Sequence, residues 1–536
     1  MTSTVMNMAG VAGAKNMSWT TAYNTSLIGV VSLTKQTILA LVVLFEIVYI
    51  LKCIYWILLY PFLVSPLRGL PGPKDNFILL GQTTKFLRAP WVPHLFQSWS
   101  ERWPTSPFIR YLGVGNAESL LVNNITAYQE ILQTKSGSFF QPQATREISK
   151  TVIGDGLPFA EGSNHKRRRA LVNKTFSLPQ IKAFVPEVHA KAARLIQCLR
   201  SRRSMSSEVE IESHIWKATL DLITVKVLGN DLNHLESDDS KFSELFGKTM
   251  QQSLSSHIFH YLSSILPLRR LIPNKTNNEF IQHCSDVRSI IRSYVKARRA
   301  QRARGEKGQM NGDVGDGLQI LIENESEWKD EEVVEYVLNL LVLGHDTTAC
   351  TLVWAVHCLS TNPSHQDRLR AEFRSLNKDV DALSYNDLES LRFLNNFLRE
   401  VLRLYCPVVY VPRQTKHDVT IAGTFLPKDT TVQLCPHIMN LHPHVWGPDA
   451  ASFDPDRWDR REGAAASAYA FESFHNGPRV CIGRALSMME MKAFLLALVA
   501  EFDVGGLSPW REEVEFASPS FTLRPKDKLT VRLTDL

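Results

Sequence analysis

Cysteine pairs at metal or disulfide spacing are missing from this chain. Its eight cysteines (Cys53, Cys198, Cys284, Cys350, Cys358, Cys406, Cys435 and Cys481) include no C-x-x-C and no disulfide-framework spacing. That argues against a zinc ribbon, an iron–sulfur cluster or a secreted disulfide scaffold, and fits a reducing compartment for the main body. No Gly-x-Gly-x-x-Gly follows a strand-like run, so no dinucleotide or flavin module is visible. A Lys/Arg stripe with interleaved aromatics is also lacking. The formal net charge of +6 is spread thinly over 536 residues, which disfavours nucleic acid as a partner. There is no internal repeat. With 44% hydrophobic and 21% charged residues, the composition is that of a globular protein with a large core.

One long, nearly uninterrupted apolar run stands near the N-terminus. Residues 37–64 (TILALVVLFEIVYILKCIYWILLYPFLV) are almost wholly apolar and long enough for one tilted membrane-spanning helix. Lys52 can snorkel to an interface, whereas a charge on Glu46, near the middle, costs roughly 2.5–3.5 kcal/mol on insertion scales. No small-residue cleavage site follows, so the run is not a removable signal peptide. Residues 65–74 (SPLRGLPGPK) then form a stiff Pro/Gly link, and residues 75–536 the main body. Arg68 and Lys74 beyond the span favour a cytoplasmic body, which leaves 1–36 on the lumenal side. Asn16-Met-Ser18 and Asn24-Thr-Ser26 would be glycosylation acceptors there.

The body reads as mainly α with small β-sheets. Helical periodicity runs from Gln180 to Glu400. Phe108-Ile-Arg-Tyr-Leu and Ser119-Leu-Leu-Val-Asn predict an early hairpin, and Val419–Gly423 with Thr430–Leu434 a later one. Residues 300–317 read as an exposed loop and 461–470 as a small-residue run.

Ten residues carry the chemistry: Phe474-His-Asn-Gly477-Pro-Arg479-Val-Cys481-Ile-Gly483. A cysteine lies between glycines just ahead of a helix, with an arginine two residues before it. The glycines allow a tight loop and close approach to a flat cofactor, the helix start favours a thiolate for a metal, and Arg479 can neutralise an acidic ligand edge. The plainer alternative is a buried free cysteine on a Gly-containing turn.

The pattern Phe-x-x-Gly-x-Arg-x-Cys-x-Gly strongly resembles the haem-binding loop of the cytochromes P-450. The anchor and proline segment resemble the microsomal class, and the haem loop with Gly344-His-Asp-Thr-Thr348 its filamentous-fungal members. The resemblance implies a cytochrome P-450 fold preceded by one transmembrane helix, heme b, and Cys481 as axial thiolate ligand to the iron. It also implies Phe474, Gly477, Arg479 and Gly483 around that loop, with Arg413, His165 and Arg169 as further haem contacts through the propionates. Lys166, Arg167 and Arg168 would face partly outward, either as a docking patch for an acidic redox partner or as a solvated face. Glu400, Arg403 and Arg457, from Glu-x-x-Arg and Phe453-Asp-Pro-Asp-Arg-Trp458, would form a buried structural triad.

On the oxygen side, Leu343-Gly344-His345-Asp346-Thr347-Thr348 interrupts a long apolar helical stretch. A glycine there could open a notch for a small molecule, and a Thr hydroxyl can bond backward and bend the helix. Leu343 stands where the family usually has a small residue. By resemblance Asp346 and Thr347 deliver protons to dioxygen, while His345 has no role. Electrons must come from a separate diflavin NADPH–cytochrome P-450 reductase, with cytochrome b5 as a further donor.

By family position, substrate contacts come from 137–160, 245–270, the stretch before Gly344, Val408–Val411 and Phe516–Thr522. Phe139, Phe140, Phe159, Phe246, Ile258, Phe259, Val409, Tyr410, Phe516 and Phe521 make these segments fit for a lipophilic substrate, and 266–273 could dip into the membrane surface. The expected function is a monooxygenase of the endoplasmic reticulum membrane, single-pass with a cytosolic catalytic domain, tailoring a fungal secondary metabolite. The alternatives are a fatty-acid or xenobiotic hydroxylase, a haem-thiolate isomerase or dehydratase working without a reductase, and a non-enzymatic haem sensor or scaffold.

Overall fold

The computed structural model describes residues 19–236, 241–250, 275–305, 316–324, 328–506, 514–517 and 522–536, with side chains from Thr37 onward. Asn16, Ile258, Phe259, Phe521 and segment 266–273 lie outside the described residues, as do 306–315 of the expected 300–317 loop. Asn24 lies in helical backbone ahead of the first described side chain.

The body is built around one buried helix, Asp330–Thr361. It is apolar enough to cross a membrane, yet 83% of its most apolar window is buried by protein. Three acidic residues in its first turn, Asp330, Glu331 and Glu332, oppose the helix dipole. It packs against the helices Glu212–Leu228, Lys275–Ala303 and Arg484–Glu501. Gly344 lets the first of these come close: a Cβ there would lie 2.6 Å from Ile223 Cδ1. The glycine therefore serves helix packing.

The strands are short. In chain order they are β1 (Phe108–Leu112), β2 (Glu118–Val122), β3 (Phe139–Phe140), β4 (Glu208–Glu210), β5 (Val411–Thr415), β6 (Val419–Ile421), β7 (Thr424–Leu426), β8 (Thr431–Leu434), β9 (Phe502–Gly506) and β10 (Thr530–Asp535). They form sheets in the orders β1-β2-β8-β5-β3, β4-β10-β9 and β6-β7. The early hairpin is as expected, with β1 antiparallel to β2. The later one is not. Val419–Ile421 pairs with Thr424–Leu426 across Ala422 and Gly423, both at positive φ (43° and 76°), which closes a two-residue turn. Thr431–Leu434 instead joins the main sheet between β2 and β5.

The N-terminal apolar segment is helical throughout. An α-helix, Trp19–Ile54, continues as π-helical turns over Tyr55–Val64 that contain Pro61. Thr37–Val64 is long and apolar enough to cross a membrane, and the body buries none of its most apolar window. The Pro/Gly link is pinned to the body: the Arg110 amide donates to the Pro71 carbonyl (2.8 Å), and a Cβ on Gly72 would lie 1.8 Å from the Arg110 oxygen.

Burial also sets the acid response. His345, His357 and His437 are buried, which holds their pKa values down to about 3, about 4 and about 3. In the unfolded chain they titrate near 6.5, so below that pH the unfolded state binds protons that the native state refuses. Stability is then lost progressively as the pH falls from about 6.5 toward 4, on the order of 1–2 kcal/mol per histidine by pH 5. Thermal unfolding followed by circular dichroism should show a clear drop in Tm between pH 7 and pH 5, and His357→Gln should flatten that slope.

Candidate functional site

Cys481 sits between the turn Gly477–Arg479 and the helix that begins at Arg484. Its amide donates to the Phe474 carbonyl (2.8 Å), which closes the loop on itself. Gly477 is obligatory: its φ is 73° and a Cβ would lie 2.1 Å from the Leu132 carbonyl oxygen. Gly483 adopts an ordinary φ of −87°, and no protein atom lies within 4 Å of a Cβ placed there, so the fold itself does not require glycine at that position. Among the eight cysteines only Cys481 is exposed to solvent, though protein surrounds its loop closely. That surrounding protein pushes its thiol pKa up, while the amides of Gly483 and Arg484 and the charges of Arg169 and Arg484 oppose the shift.

The loop hangs from a buried ion cluster. Glu400 is fully buried on the helix Arg392–Leu404 and accepts from Arg403 Nε (2.8 Å) and Nη2 (2.7 Å), Arg457 Nε (3.4 Å), Trp458 Nε1 (3.1 Å) and the Asp454 amide (3.0 Å). Arg403 spends its other donors on the carbonyls of Asn440, Ala450 and Ser452. The expected triad is therefore brought together. Asn440, which sequence reasoning passed over, carries the connection onward. Its side chain accepts from the Glu472 amide (2.9 Å) and donates to Ser473 Oγ (2.8 Å), immediately before Phe474.

Around the cysteine loop three guanidiniums converge. Arg169, on the helix Gly162–Val172, donates to the Val480 carbonyl (2.6 Å). Arg479 donates to Ala160 O (2.8 Å) and pairs with Glu161 (3.0 Å). Burial first and then the Arg479 charge hold the pKa of Arg413 down to about 10. His165 is depressed to about 4 by burial and then by Arg479, Arg169 and Arg413, so the four groups share one field and the imidazole is neutral. Glu161 is the acid paired with this cluster, through Arg479.

Arg168 departs from expectation. It is buried, lies 3.7 Å over the Trp328 ring and pairs with Glu332 (3.0 Å), so only Lys166 and Arg167 of the expected patch face outward. The helix turns Arg168 onto its core side, where an aromatic and an acid receive it.

On the central helix, Asp346 is fully buried and paired with Arg524, 178 residues away. Burial raises its proton affinity above the ordinary carboxylate range, and the Arg524 charge only partly offsets this. The position of Arg524 follows from its neighbour: the Leu523 carbonyl accepts from Trp354 Nε1 (2.6 Å) and Cys350 Sγ (3.0 Å) of the central helix. Its guanidinium lies 3.9 Å over the Trp216 ring. With Glu212, Trp216, Phe246 and His345 it lines a cavity of about 170 Å³, so Arg524 stands between Asp346 and that cavity. Thr347 donates back to the Leu343 carbonyl (2.8 Å), the expected local bond. His345 packs away from Asp346 and donates through Nε2 to the Trp216 carbonyl (3.0 Å). No short-range signal in the sequence points to Arg524.

Of the aromatic residues expected to line a substrate site, Phe139 belongs to the sheet core and Phe246 packs on Phe242 and His345. Phe516 packs its ring at a tilt against Trp91 (4.5 Å) and Trp354 (5.5 Å).

A cysteine on a tight glycine turn, an arginine set around it and a mainly helical body with small sheets agree with the haem-loop resemblance of the sequence. The chain belongs to the cytochrome P-450 family, whose sequence profile matches residues 71–530. It is similar to the cytochrome P-450 monooxygenase sphH of Aspergillus fumigatus, 29% identical over 90% of this chain and 91% of that protein. It is likewise similar to the cytochrome P-450 monooxygenase FSL4 of Gibberella zeae, 29% identical over 84% of each chain. The cytochrome P-450 monooxygenase ptmK of Penicillium ochrochloron is 26% identical over 90% of this chain and 96% of its own. The family implies haem as cofactor, a redox partner and a small-molecule substrate.

Two substitutions test the buried charges. Arg403→Leu strands the Glu400 carboxylate and should cost about 3–5 kcal/mol in denaturant unfolding. The double variant Glu400→Leu/Arg403→Leu should cost less than the sum of its parts, because one loss already breaks the unit. Arg524→Ala should destabilise by a similar 3–5 kcal/mol and shift the pH profile of turnover toward higher pH, whereas Arg524→Lys should largely restore both.

Proposed function

We propose that this protein is a membrane-anchored cytochrome P-450 monooxygenase that inserts one oxygen atom into a lipophilic small molecule, tailoring a fungal secondary metabolite. The observation that carries the reading is the placing of Cys481, open on a glycine turn and ringed by Arg169, Arg413 and Arg479.

In this reading heme b binds with Cys481 as its thiolate ligand. Arg169, Arg413, Arg479 and the neutral His165 hold its two propionates, whose charge the convergent guanidiniums call for. Gly483, with no protein atom near its Cβ position, leaves room for close approach of the ring. Phe474 holds the loop through its carbonyl, and the cluster of Glu400, Arg403 and Arg457 fixes the loop through Asn440. When bound, thiolate-ligated haem supplies the activation of dioxygen.

The protein's own work there is to move protons. Asp346 can hold a proton in a dry site, because burial raises its affinity, and can lose it again, because Arg524 favours the carboxylate. The cavity beyond Arg524 gives that pair a side facing water. The Thr347 hydroxyl, one residue on, can exchange its backward bond for one to the reacting oxygen. A haem-thiolate isomerase would have no use for a buried acid held in this way, which favours oxygen insertion.

Electrons come from a separate diflavin NADPH–cytochrome P-450 reductase, with cytochrome b5 as a second donor. The segment Thr37–Val64 anchors the enzyme in the endoplasmic reticulum membrane with the body in the cytosol, an orientation favoured by Arg68 and Lys74 beyond the span.

The carbon monoxide difference spectrum of the reduced, membrane-bound protein tests the assignment. A strongly red-shifted Soret band is expected, and Cys481→Ser should abolish both band and turnover while leaving the helical circular dichroism intact. An unshifted band in the folded parent protein, or retained turnover in the variant, would remove Cys481 as the ligand.

A further inference from the structure

Glu161 stands as an acid among the cations around the cysteine loop, and both of its carboxylate oxygens are engaged. Oε1 accepts from the Gln141 amide (3.4 Å), while Oε2 meets Arg479 Nη2 (3.0 Å) and lies 3.9 Å from Lys416 Nζ. Its backbone is equally fixed. Glu161 immediately precedes the helix Gly162–Val172, and its carbonyl accepts from the His165 amide (3.2 Å). A helix start favours negative charge. Gln141 follows β3, Lys416 follows β5, and Arg479 ends the turn Gly477–Arg479. Three elements therefore hold one carboxylate in place, although its side chain is 36% exposed.

The neighbouring cations are bonded differently. Among the described residues Arg169 and Arg413 meet no carboxylate. Arg169 donates to the Val480 carbonyl (2.6 Å) and Arg413 to the Pro412 carbonyl (2.9 Å). Glu161 pairs with Arg479 directly and also reaches Arg413 through space: burial and then Arg479 lower the proton affinity of Arg413, and Glu161 partly offsets them. With haem bound as read above, two propionates face three guanidiniums, and His165 is neutral. Glu161 supplies the third negative charge, so this edge of the site is balanced. Without that carboxylate one cation beside the propionates would stand uncompensated, in surroundings where burial weakens the screening by water.

We propose that Glu161 sets the reduction potential of the haem, holding it low by cancelling the charge of Arg479 at the propionate edge. The proposal rests on the reading that haem is held by Cys481 with its propionates on these arginines. Reduction adds one electron, drawn from the redox partner, and takes ferric haem to ferrous with no bond made or broken. The centre becomes more negative by one unit, so a fixed carboxylate nearby opposes the step and a fixed guanidinium assists it. Arg479 divides its donors between Glu161 and the ligand edge, and so assists less than an unpaired arginine would. Glu161 acts on the haem through Arg479, which makes it a positioning residue.

The full-length holoprotein in phosphatidylcholine nanodiscs, titrated electrochemically while the Soret band is followed, provides the test. At the potential where the parent is half reduced, Glu161→Gln should raise the ferrous-to-ferric ratio about tenfold, which is about 59 mV for a one-electron couple. Glu161→Asp keeps the charge and should stay close to the parent. Lys416→Gln leaves the Glu161 charge less compensated and should move the potential the other way. Glu244→Gln is the control: it removes an exposed carboxylate paired with Lys248 on the helix Lys241–Met250 and should move nothing. An unchanged or lowered potential in Glu161→Gln overturns the proposal. So does an equal rise in Glu161→Asp or Glu244→Gln, or any rise in Lys416→Gln. Haem transfer to excess apomyoglobin gives a second readout. Freeing Arg479 for the propionates should slow haem loss from Glu161→Gln; faster loss, or failure to hold haem, would make Glu161 a support of the site and overturn the proposal. The reduced carbon monoxide spectrum reports on ligation separately. A red-shifted band with an unmoved potential removes only the role of Glu161, whereas an unshifted band in the parent removes the thiolate reading and this proposal with it.

Discussion

A carboxylate taken wholly out of water at Glu400 organises the side of the protein that carries the cysteine. An ion there is tolerable only if nearly every lone pair is met, and five donors from four residues meet it. The arginines that satisfy it have donors left over, which fasten the carbonyls of Asn440, Trp446, Asp449, Ala450 and Ser452. A stretch of short helical turns and loops, Asn440 to Ser452, is thereby hung from one helix. Asn440 then hands the order on to Glu472 and Ser473, and so to the loop of Cys481. The site is precise because a buried charge leaves its surroundings few alternatives.

The opposite face follows a different logic. Asp346 meets one cation among the described residues, Arg524, and a hydrogen bond from the Thr522 side chain. A fully satisfied carboxylate such as Glu400 is locked. One held by a guanidinium and a hydroxyl in a dry site keeps its proton affinity raised. Two buried acids in one protein are thus set to different tasks by how completely each is bonded.

What could be read in the chain beforehand depended on distance along it. The spacing in Glu-x-x-Arg and in the loop from Phe474 to Gly483 encodes chemistry within a few residues, and the fold brings those residues together. The face of Arg168 was not legible, because Trp328 and Glu332 receive it from 160 or more residues away. Arg524 was hidden for the same reason: it meets Asp346 only because the Leu523 carbonyl is caught by Trp354 and Cys350. The later hairpin was misjudged because Ala422-Gly423 closes a tighter turn than the hydrophobic pattern suggested, which frees Thr431–Leu434 to pair elsewhere. Asn440 carried no signal, since a lone asparagine looks the same whether it bridges two loops or faces water.

Gly344 shows how the two faces of one helix constrain each other. Its missing side chain is demanded by Ile223 on the neighbouring helix, while Asp346 and Thr347 stand two and three residues further on. The two positions behave as a lock and its key in descent. A lineage could acquire alanine or serine at 344 only after, or together with, a smaller residue at 223, and a larger residue at 223 would forbid any change at 344. The shape of this turn can therefore drift through substitutions on the helix packed against it, and variation at 223 is where a search for altered chemistry among relatives would begin.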